Sequence, residues 1–293
     1  MRIVITGANG FIGSSLAAYF AASGQHEVIC LVRSKRISGR REVICDIADR
    51  EYLLADVAER IGKADVLIHA AACLDNNNVA ELYRTNCYGT QNVVDLGIKL
   101  GLKMIIYVSS APITGLPKES ELPITEQSGI LPPSVYHLTK YLGEQIVTKN
   151  CGQLPYAILR IPSPVGYGMP SGKIFSVFVQ RAQAGQLLNV YGSGERIQNY
   201  VDVRDIAYGV ECAIRAGRSG IWQILGQEIS DAELARLCVQ QFASQSEIRI
   251  GEQGRKTPVQ KWRYSGARAQ ADLGYSPRCS LPDMIASVAR GLS

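Results

Sequence analysis

Tyr136 and Lys140 stand four residues apart in the run Tyr136-His137-Leu138-Thr139-Lys140, downstream of an apolar stretch, Ile105-Ile106-Tyr107-Val108-Ser109-Ser110, that ends in two serines. On a helix, a spacing of four puts both side chains on one face, a turn apart. An ammonium beside a phenol favours the phenolate and lowers a pKa that starts near ~10. A positively charged nicotinamide nearby would lower it further. Such a tyrosine can give a proton to, or take one from, a hydroxyl or carbonyl near neutral pH. The lysine can also hold a nicotinamide ribose. Ser110, Tyr136 and Lys140 are therefore the candidate catalytic residues.

A second set of residues implies the electron carrier. The short apolar run Arg2 to Ile5 breaks into Thr6-Gly7-Ala8-Asn9-Gly10-Phe11-Ile12-Gly13. A strand that stops at a glycine-spaced turn and restarts as a helix brings free backbone N–H groups and a positive dipole end toward a pyrophosphate. Gly7 permits the tight turn, Gly10 leaves space where phosphates lie, and Gly13 lets helix and strand pack together. Phe11 and Ile12 begin the helix and complete the expected cofactor turn.

The elements that must position these groups alternate. Strands are expected at Arg2–Ile5, Glu27–Val32, Val43–Cys45, Asp65–His69, Met104–Ser109 and Tyr156–Arg160. Helix-period segments lie between them at Ile12–Ala22, Arg50–Ile61, Val79–Leu100 and Val135–Cys151. Such alternation implies right-handed crossovers and an α/β fold, a doubly wound parallel sheet with ligands at the carboxyl ends of its strands. Residues 1–160 are read as the dinucleotide-binding domain. Ile161 to Gly172 is rich in proline and glycine and reads as a loop at the mouth of the site, with Pro162 against the cofactor. Shorter elements follow: helices at Ile174–Ala184, Val203–Ala216 and Asp231–Phe242, and strands at Leu187–Tyr191 and Ile221–Leu225. Residues 161–293 are read mainly as a smaller substrate lobe, interleaved with the first domain by a segment after Asn199 that returns to the sheet.

Composition narrows the function classes. A 46% hydrophobic, 19% charged chain of 293 residues fits an ordinary globular protein with a sizeable core. The net charge of +5 is mild and the basic residues are scattered, so no nucleic-acid partner is indicated. Eight cysteines without a Cys-x-x-Cys pair read as buried free thiols of a reducing compartment, and the three dispersed histidines suggest no metal site. No stretch reaches membrane-spanning length, and the chain opens directly into a strand, so a cytoplasmic location is expected.

Taken in order, the glycine turn, the Val-Ser-Ser strand end and the Tyr-x-x-x-Lys pair resemble the extended short-chain dehydrogenase/reductase superfamily, the group of NAD-dependent epimerases and dehydratases. The likeness runs nearly the whole length. Leu67-Ile68-His69-Ala70-Ala71 resembles the segment whose backbone passes the cofactor, which assigns Ala70 and Ala71 to it. Thr85-Asn86-Cys87-Tyr88-Gly89-Thr90 resembles the family's Asn-x-x-Gly-Thr helix. Tyr191-Gly192-Ser193-Gly194-Glu195-Arg196 through Tyr200-Val201-Asp202-Val203-Arg204-Asp205 resembles the substrate-lobe signature of nucleotide-sugar enzymes, and Leu273-Gly274-Tyr275-Ser276-Pro277 its tail. The resemblance implies Tyr136 as acid/base, Lys140 as its partner and Ser110 as the hydroxyl that polarises the reacting oxygen, with Ser109 the competitor for that role. It also implies a homodimer built on the helices Val79–Leu100 and Val135–Cys151.

The second strand should end in a carboxylate if the cofactor is NAD. Here Ile29-Cys30-Leu31-Val32 carries none, and Arg33-Ser34-Lys35-Arg36 follows. Arginine binds a 2′-phosphate bidentately where a carboxylate would repel it, so Arg33 and Arg36 point to NADP, with NAD as the alternative. Asp46 and Ile47 resemble the family residues that touch adenine. After Ser110 the chain reads Ala111-Pro112, where 4,6-dehydratases carry an adjacent acid pair, so dehydration is not expected. The expected activity is NADP(H)-dependent reduction of a keto group on a nucleotide-linked 4-keto-6-deoxy sugar. The alternatives are a nucleotide-sugar 4-epimerase, a carbonyl reductase of a non-sugar substrate (some of which also carry Val-Arg after the second strand) and a non-enzymatic redox sensor. Epimerases commonly have Tyr in the segment reading Ile113-Thr114-Gly115, and Asn where Ser163 stands. Substrate contacts are expected at Ser110, Ser163, Lys173 and Arg196, although the family's arginine often falls where Gln198 stands. His69 is read as a hydrogen-bonded structural histidine, and Trp222 and Trp262 as packing in the smaller lobe.

Overall fold

The computed structural model describes residues 1–34, 39–116, 118–251 and 259–292. Among them, strands β1 (Arg2–Thr6), β2 (Glu27–Val32), β3 (Arg41–Ile44), β4 (Val66–His69), β5 (Met104–Ser110), β6 (Tyr156–Ile161) and, much later, β10 (Gly220–Gln223) form one parallel sheet. Its order is β10-β6-β5-β4-β1-β2-β3. The chain winds outward from β1 to β3, then crosses back through β4 and winds the other way. The crevice where the direction reverses, between the carboxyl ends of β1 and β4, is where such sheets bind ligands.

A parallel sheet covered on both faces needs strands that are apolar throughout, and β4 and β5 are buried at every residue. Ile3, Ile5, Ile106 and Val108 pack with the helices Phe11–Ala22 and Val203–Ala216. Val4, Ile105 and Tyr107 face the other way, into a core shared with residues of helix 50–61, helix 79–99 and the helix Val135–Asn150. Helix 50–61 and helix 79–99 each contain a π turn, Leu53–Val57 and Arg84–Tyr88.

A second, smaller core gathers β8 (Leu188–Tyr191), the helices Ile174–Gln183, Asp231–Gln241 and Leu281–Leu292, and parts of β7 (Ser163–Val165), β9 (Ile197–Asp202) and β11 (Gln227–Ser230). β11, β9 and β7 form one small sheet; β12 (Ile248–Gly251) pairs with β8.

Several details differ from the sequence reading. β10 and the helix Val203–Ala216, within the segment after Asn199 that was read as returning to the sheet, belong to the large core: β10 pairs in parallel with β6, and the helix packs on Phe11–Ala22. Trp222 is accordingly a main-sheet residue, fully buried, with its indole N–H donating to Asp272 at 3.0 Å. The stretch expected to be only a loop contains β7, too short to show a period but paired with β9. β9 itself, hidden by its polar residues, was not expected.

The glycine turn is tight for reasons internal to the fold. Gly7 has φ +67°, and a Cβ there would lie 2.6 Å from the Ala71 backbone. A Cβ on Gly13 would overlap the Gly7 carbonyl oxygen, whereas one on Gly10 would come no closer than 3.2 Å to anything described. Gly13→Ala is therefore expected to lose roughly 2–3 kcal/mol of stability in denaturant melts. Gly10→Ala should melt close to wild type yet bind dinucleotide more weakly in titration calorimetry.

Candidate active site

The helix Val135–Asn150 begins at Ser134, whose hydroxyl caps the His137 N–H, and the Tyr136 N–H donates to Asn76 at 3.0 Å. One turn on, Lys140 is 3% exposed, with Nζ 4.0 Å from the centre of the Tyr107 ring on β5. The Tyr107 hydroxyl donates to the Lys140 carbonyl at 3.3 Å. That approach requires a glycine at 143, since a Cβ would overlap the phenol oxygen. No carboxylate pairs with the ammonium among the described residues. Burial pulls the Lys140 pKa from 10.5 down to about 7, against the opposing influence of Glu144 and Cys87. The Tyr136 phenol moves the other way, pushed up to about 12 by burial. This corrects the expectation of a lowered phenol pKa: in the protein alone, desolvation of the phenolate sets the direction.

The two serines at the end of β5 part company. Ser109 faces the helix, and its hydroxyl donates to Glu144 at 2.6 Å; Arg160 of β6 grips the same carboxylate at 3.0 and 2.8 Å. Ser110, the next residue on an alternating strand, has no side-chain hydrogen bond among the described residues. Among the described residues, Ser110 Oγ, Tyr136 Oη and Lys140 Nζ thus have no protein hydrogen-bond partner, and Lys140 Nζ lies over the Tyr107 ring of β5.

The helix Phe11–Ala22 opens at Gly10 with no side-chain cap, while the helices after Asp49, Asn78, Ser134, Asp202 and Ser230 each have one. Uncapped amides at Phe11, Ile12 and Gly13 suit an anionic ligand. His69 is buried and structural, as read: Thr90 donates to the Asn86 carbonyl, so His69 Nε2–H donates to Thr90 and Nδ1 accepts from Thr6. Thr6 in turn accepts from the Ala71 N–H at 3.2 Å, which fixes the Ala70–Ala71 backbone beside the glycine turn. Asn86 clamps both backbone groups of Cys73 and reaches Thr139 on the helix of Tyr136.

At the far end of the crevice, Asp46 accepts from the Ala48 N–H and from Arg84. Burial pushes its carboxyl up, but those bonds and the charges of Arg84 and Arg33 hold it below the usual range. Ile47 is buried, its carbonyl accepting from Asn92. Arg33 is largely exposed, 3.7 Å from Glu81, and lines a cavity of ≈ 770 Å³ with Arg40, Cys45 and Asp46. Arg36 lies outside the described residues. Pro162 is buried between β6 and β7.

Of the expected substrate contacts, Ser163 donates to Gln198 at 3.0 Å across β7 and β9. Arg196 is not a free cation, being held by both oxygens of Asp231 at 2.8 and 3.2 Å. Lys173 is exposed at the start of the helix Ile174–Gln183. Glu144, Arg160 and Tyr107 escaped the sequence reading. Glu144 follows Lys140 by four, so helical spacing alone could have flagged it; Arg160 carried no such signal.

This fold and crevice define a nicotinamide-dinucleotide enzyme. Residues 3–224 match the model of the NAD dependent epimerase/dehydratase family, and the chain belongs to that family. It is 28% identical to a putative UDP-glucose 4-epimerase of Methanocaldococcus jannaschii, over 98% of this chain and 96% of that one. It is 24% identical to a dTDP-glucose 4,6-dehydratase of Streptomyces antibioticus, covering 98% and 90% of the two chains. A UDP-glucose-4-epimerase from Stenotrophomonas maltophila, solved with NAD and formylated UDP-arabinopyranose, superimposes with a TM-score of 0.86 at 22% identity, covering 99% of this chain and 97% of that one. No helix among the described residues is long and apolar enough to cross a membrane.

The two serines should separate by phenotype. Ser110→Ala is expected to melt like wild type but lose turnover, whereas Ser109→Ala should cost about 1 kcal/mol of stability. The buried amine gives a pH signature. Between pH 7 and 10.5 the unfolded chain binds more protons at Lys140 than the folded one, so stability from this residue rises with pH. Lys140→Met should raise the melting temperature most at pH 6, and the advantage should shrink as pH climbs through that window.

Proposed function

We propose that this enzyme interconverts a secondary alcohol and a ketone on a nucleotide-linked sugar, with Tyr136 as acid/base, Ser110 polarising the reacting oxygen and Lys140 supporting the phenolate. The observation that carries the reading is the buried Lys140, held one turn below Tyr136 at the end of β5 with no carboxylate in contact. A buried charge of this kind is costly and persists where function uses it. Gly7, Gly10, Gly13, the amides of Phe11 and Ile12, Ala70, Ala71, Asp46, Ile47 and Pro162 would hold the dinucleotide, with its ribose on Tyr136 and Lys140. When bound, the nicotinamide supplies or accepts the hydride. Tyr136 protonates the carbonyl oxygen in the reducing direction, and the Lys140 ammonium stabilises the phenolate left behind.

NADP is our choice of cofactor. β2 ends without a carboxylate, Asp46 is compensated by Arg84, and the exposed Arg33 shares its cavity with Arg40. A reduced cofactor that exchanges on each turnover suits net reduction of a 4-keto-6-deoxy sugar. Ala111 and Pro112 beside Ser110 offer no carboxylate for dehydration. Epimerisation with retained NAD is the second reading, favoured by the likeness to the Methanocaldococcus relative. Residues 161–293, through Ser163, Lys173 and Arg196, would supply most substrate contacts. Tyr88, Val79 and Leu138 are exposed apolar residues on the two helices that we assign to a homodimer contact.

A panel of nucleotide sugars and ketosugars, followed by nicotinamide absorbance with NADPH and NADH, tests the activity. Tyr136→Phe should lose ~10²–10⁴-fold in rate. Arg33→Ala should weaken NADPH by roughly tenfold or more and leave NADH little changed. Equal use of both cofactors would sink the NADP choice, and tightly copurifying NAD would establish the epimerase reading. In sedimentation analysis, Tyr88→Glu should convert a dimer to monomers.

A further inference from the structure

Behind the candidate catalytic residues lies a charge pair that the reaction does not touch. Glu144 is fully buried and Arg160 is 3% exposed, and the guanidinium binds the carboxylate through two nitrogens, Nε and Nη2. Ser109 donates to the same carboxylate, and Arg160 Nη1 also reaches the Glu126 carbonyl at 3.2 Å. The pair therefore ties together the helix of Tyr136 and Lys140, the strand that ends in Ser110, and β6.

We propose that Glu144, clamped by Arg160 and Ser109, is a positioning residue that sets the helix against the Ser110 strand and keeps the Lys140 ammonium charged. The inference rests on the catalytic reading of Lys140 given above. Glu144 is one helical turn from Lys140 on the same face. The other titratable groups around the amine cannot supply a countercharge. His69, from β4, is buried and held neutral; Tyr107, from β5, presents a ring face and a phenol driven well above its ordinary range. Cys87, from the π turn, has a thiol raised by burial, and Tyr136 is a phenol pushed up to about 12. Among the described residues Glu144 is the carboxylate whose influence on Lys140 opposes the effect of burial. Arg160 supplies the paired charge that a buried carboxylate requires, through two nitrogens.

The test reads the amine itself. Protein carrying ¹⁵N at lysine Nζ is titrated by NMR without substrate, with Lys140→Met assigning the signal. Glu144→Gln should lower the Lys140 midpoint by about one pH unit, the scale of a lost neighbouring charge. Ser109→Ala, which removes a hydrogen bond and no charge, should leave it in place. Because Glu144→Gln strands a buried guanidinium, the paired change Glu144→Gln with Arg160→Gln is measured alongside; its midpoint should fall too, by less. The alkaline limb of the pH–rate profile should move with the midpoint. An unmoved midpoint in both glutamine variants overturns the proposal, as does a shift in Ser109→Ala equal to that in Glu144→Gln. A midpoint that moves as expected in a protein inactive toward every sugar tested would uphold this inference and sink the catalytic reading alone.

Discussion

Burying a lysine ammonium without a hydrogen-bonded carboxylate is the constraint on which the rest of this site depends. Desolvation costs several kcal/mol, and the Tyr107 ring face returns only about 1–2 of them. The remainder is borne by the packing of the sheet and its helices, because the helix cannot rotate the amine into water without leaving the strand. Gly143 lets the Tyr107 hydroxyl reach the helix backbone, and Asn86 joins that helix to the chain after β4. The result is an amine held against the Tyr107 ring with its pKa lowered by burial to about 7.

The buried polar groups differ in how far they are satisfied. Glu144 and Arg160 form a closed pair. His69 is locked as a neutral imidazole by Thr6 and Thr90, adding order and no charge. Among the described residues, the side chains of Ser110, Tyr136 and Lys140 have no hydrogen-bond partner, which marks them apart from the satisfied groups around them.

The cofactor end follows the same logic with backbone in place of side chains. Gly7 and Gly13 are demanded by contacts within the protein, Gly7 against Ala71 and Gly13 against Gly7. Gly10 is not, and the helix it opens has bare amides. Asp46 and Arg84 pair at the far end of the crevice, where the exposed Arg33 lies 3.7 Å from Glu81.

The period of apolar residues and the local chemistry of turns were enough to read the parallel sheet, its flanking helices, the glycine turn and the Tyr136–Lys140 face, since each depends on neighbours within a few residues. The serine role was assigned to Ser110 with Ser109 as its competitor, and the strand's alternation against Glu144 separates their environments. Short polar strands such as β7 and β9 were invisible because pairing, not composition, makes them. The pairing of β10 with β6 in particular, the capture of Arg196 by Asp231, and the Glu144–Arg160 pair all join residues 16 or more positions apart, although a return to the sheet after Asn199 was itself legible. Burial also reversed the expected direction of the Tyr136 pKa. Propensity and spacing are properties of the chain, but desolvation and charge pairing exist only once distant segments exclude water together.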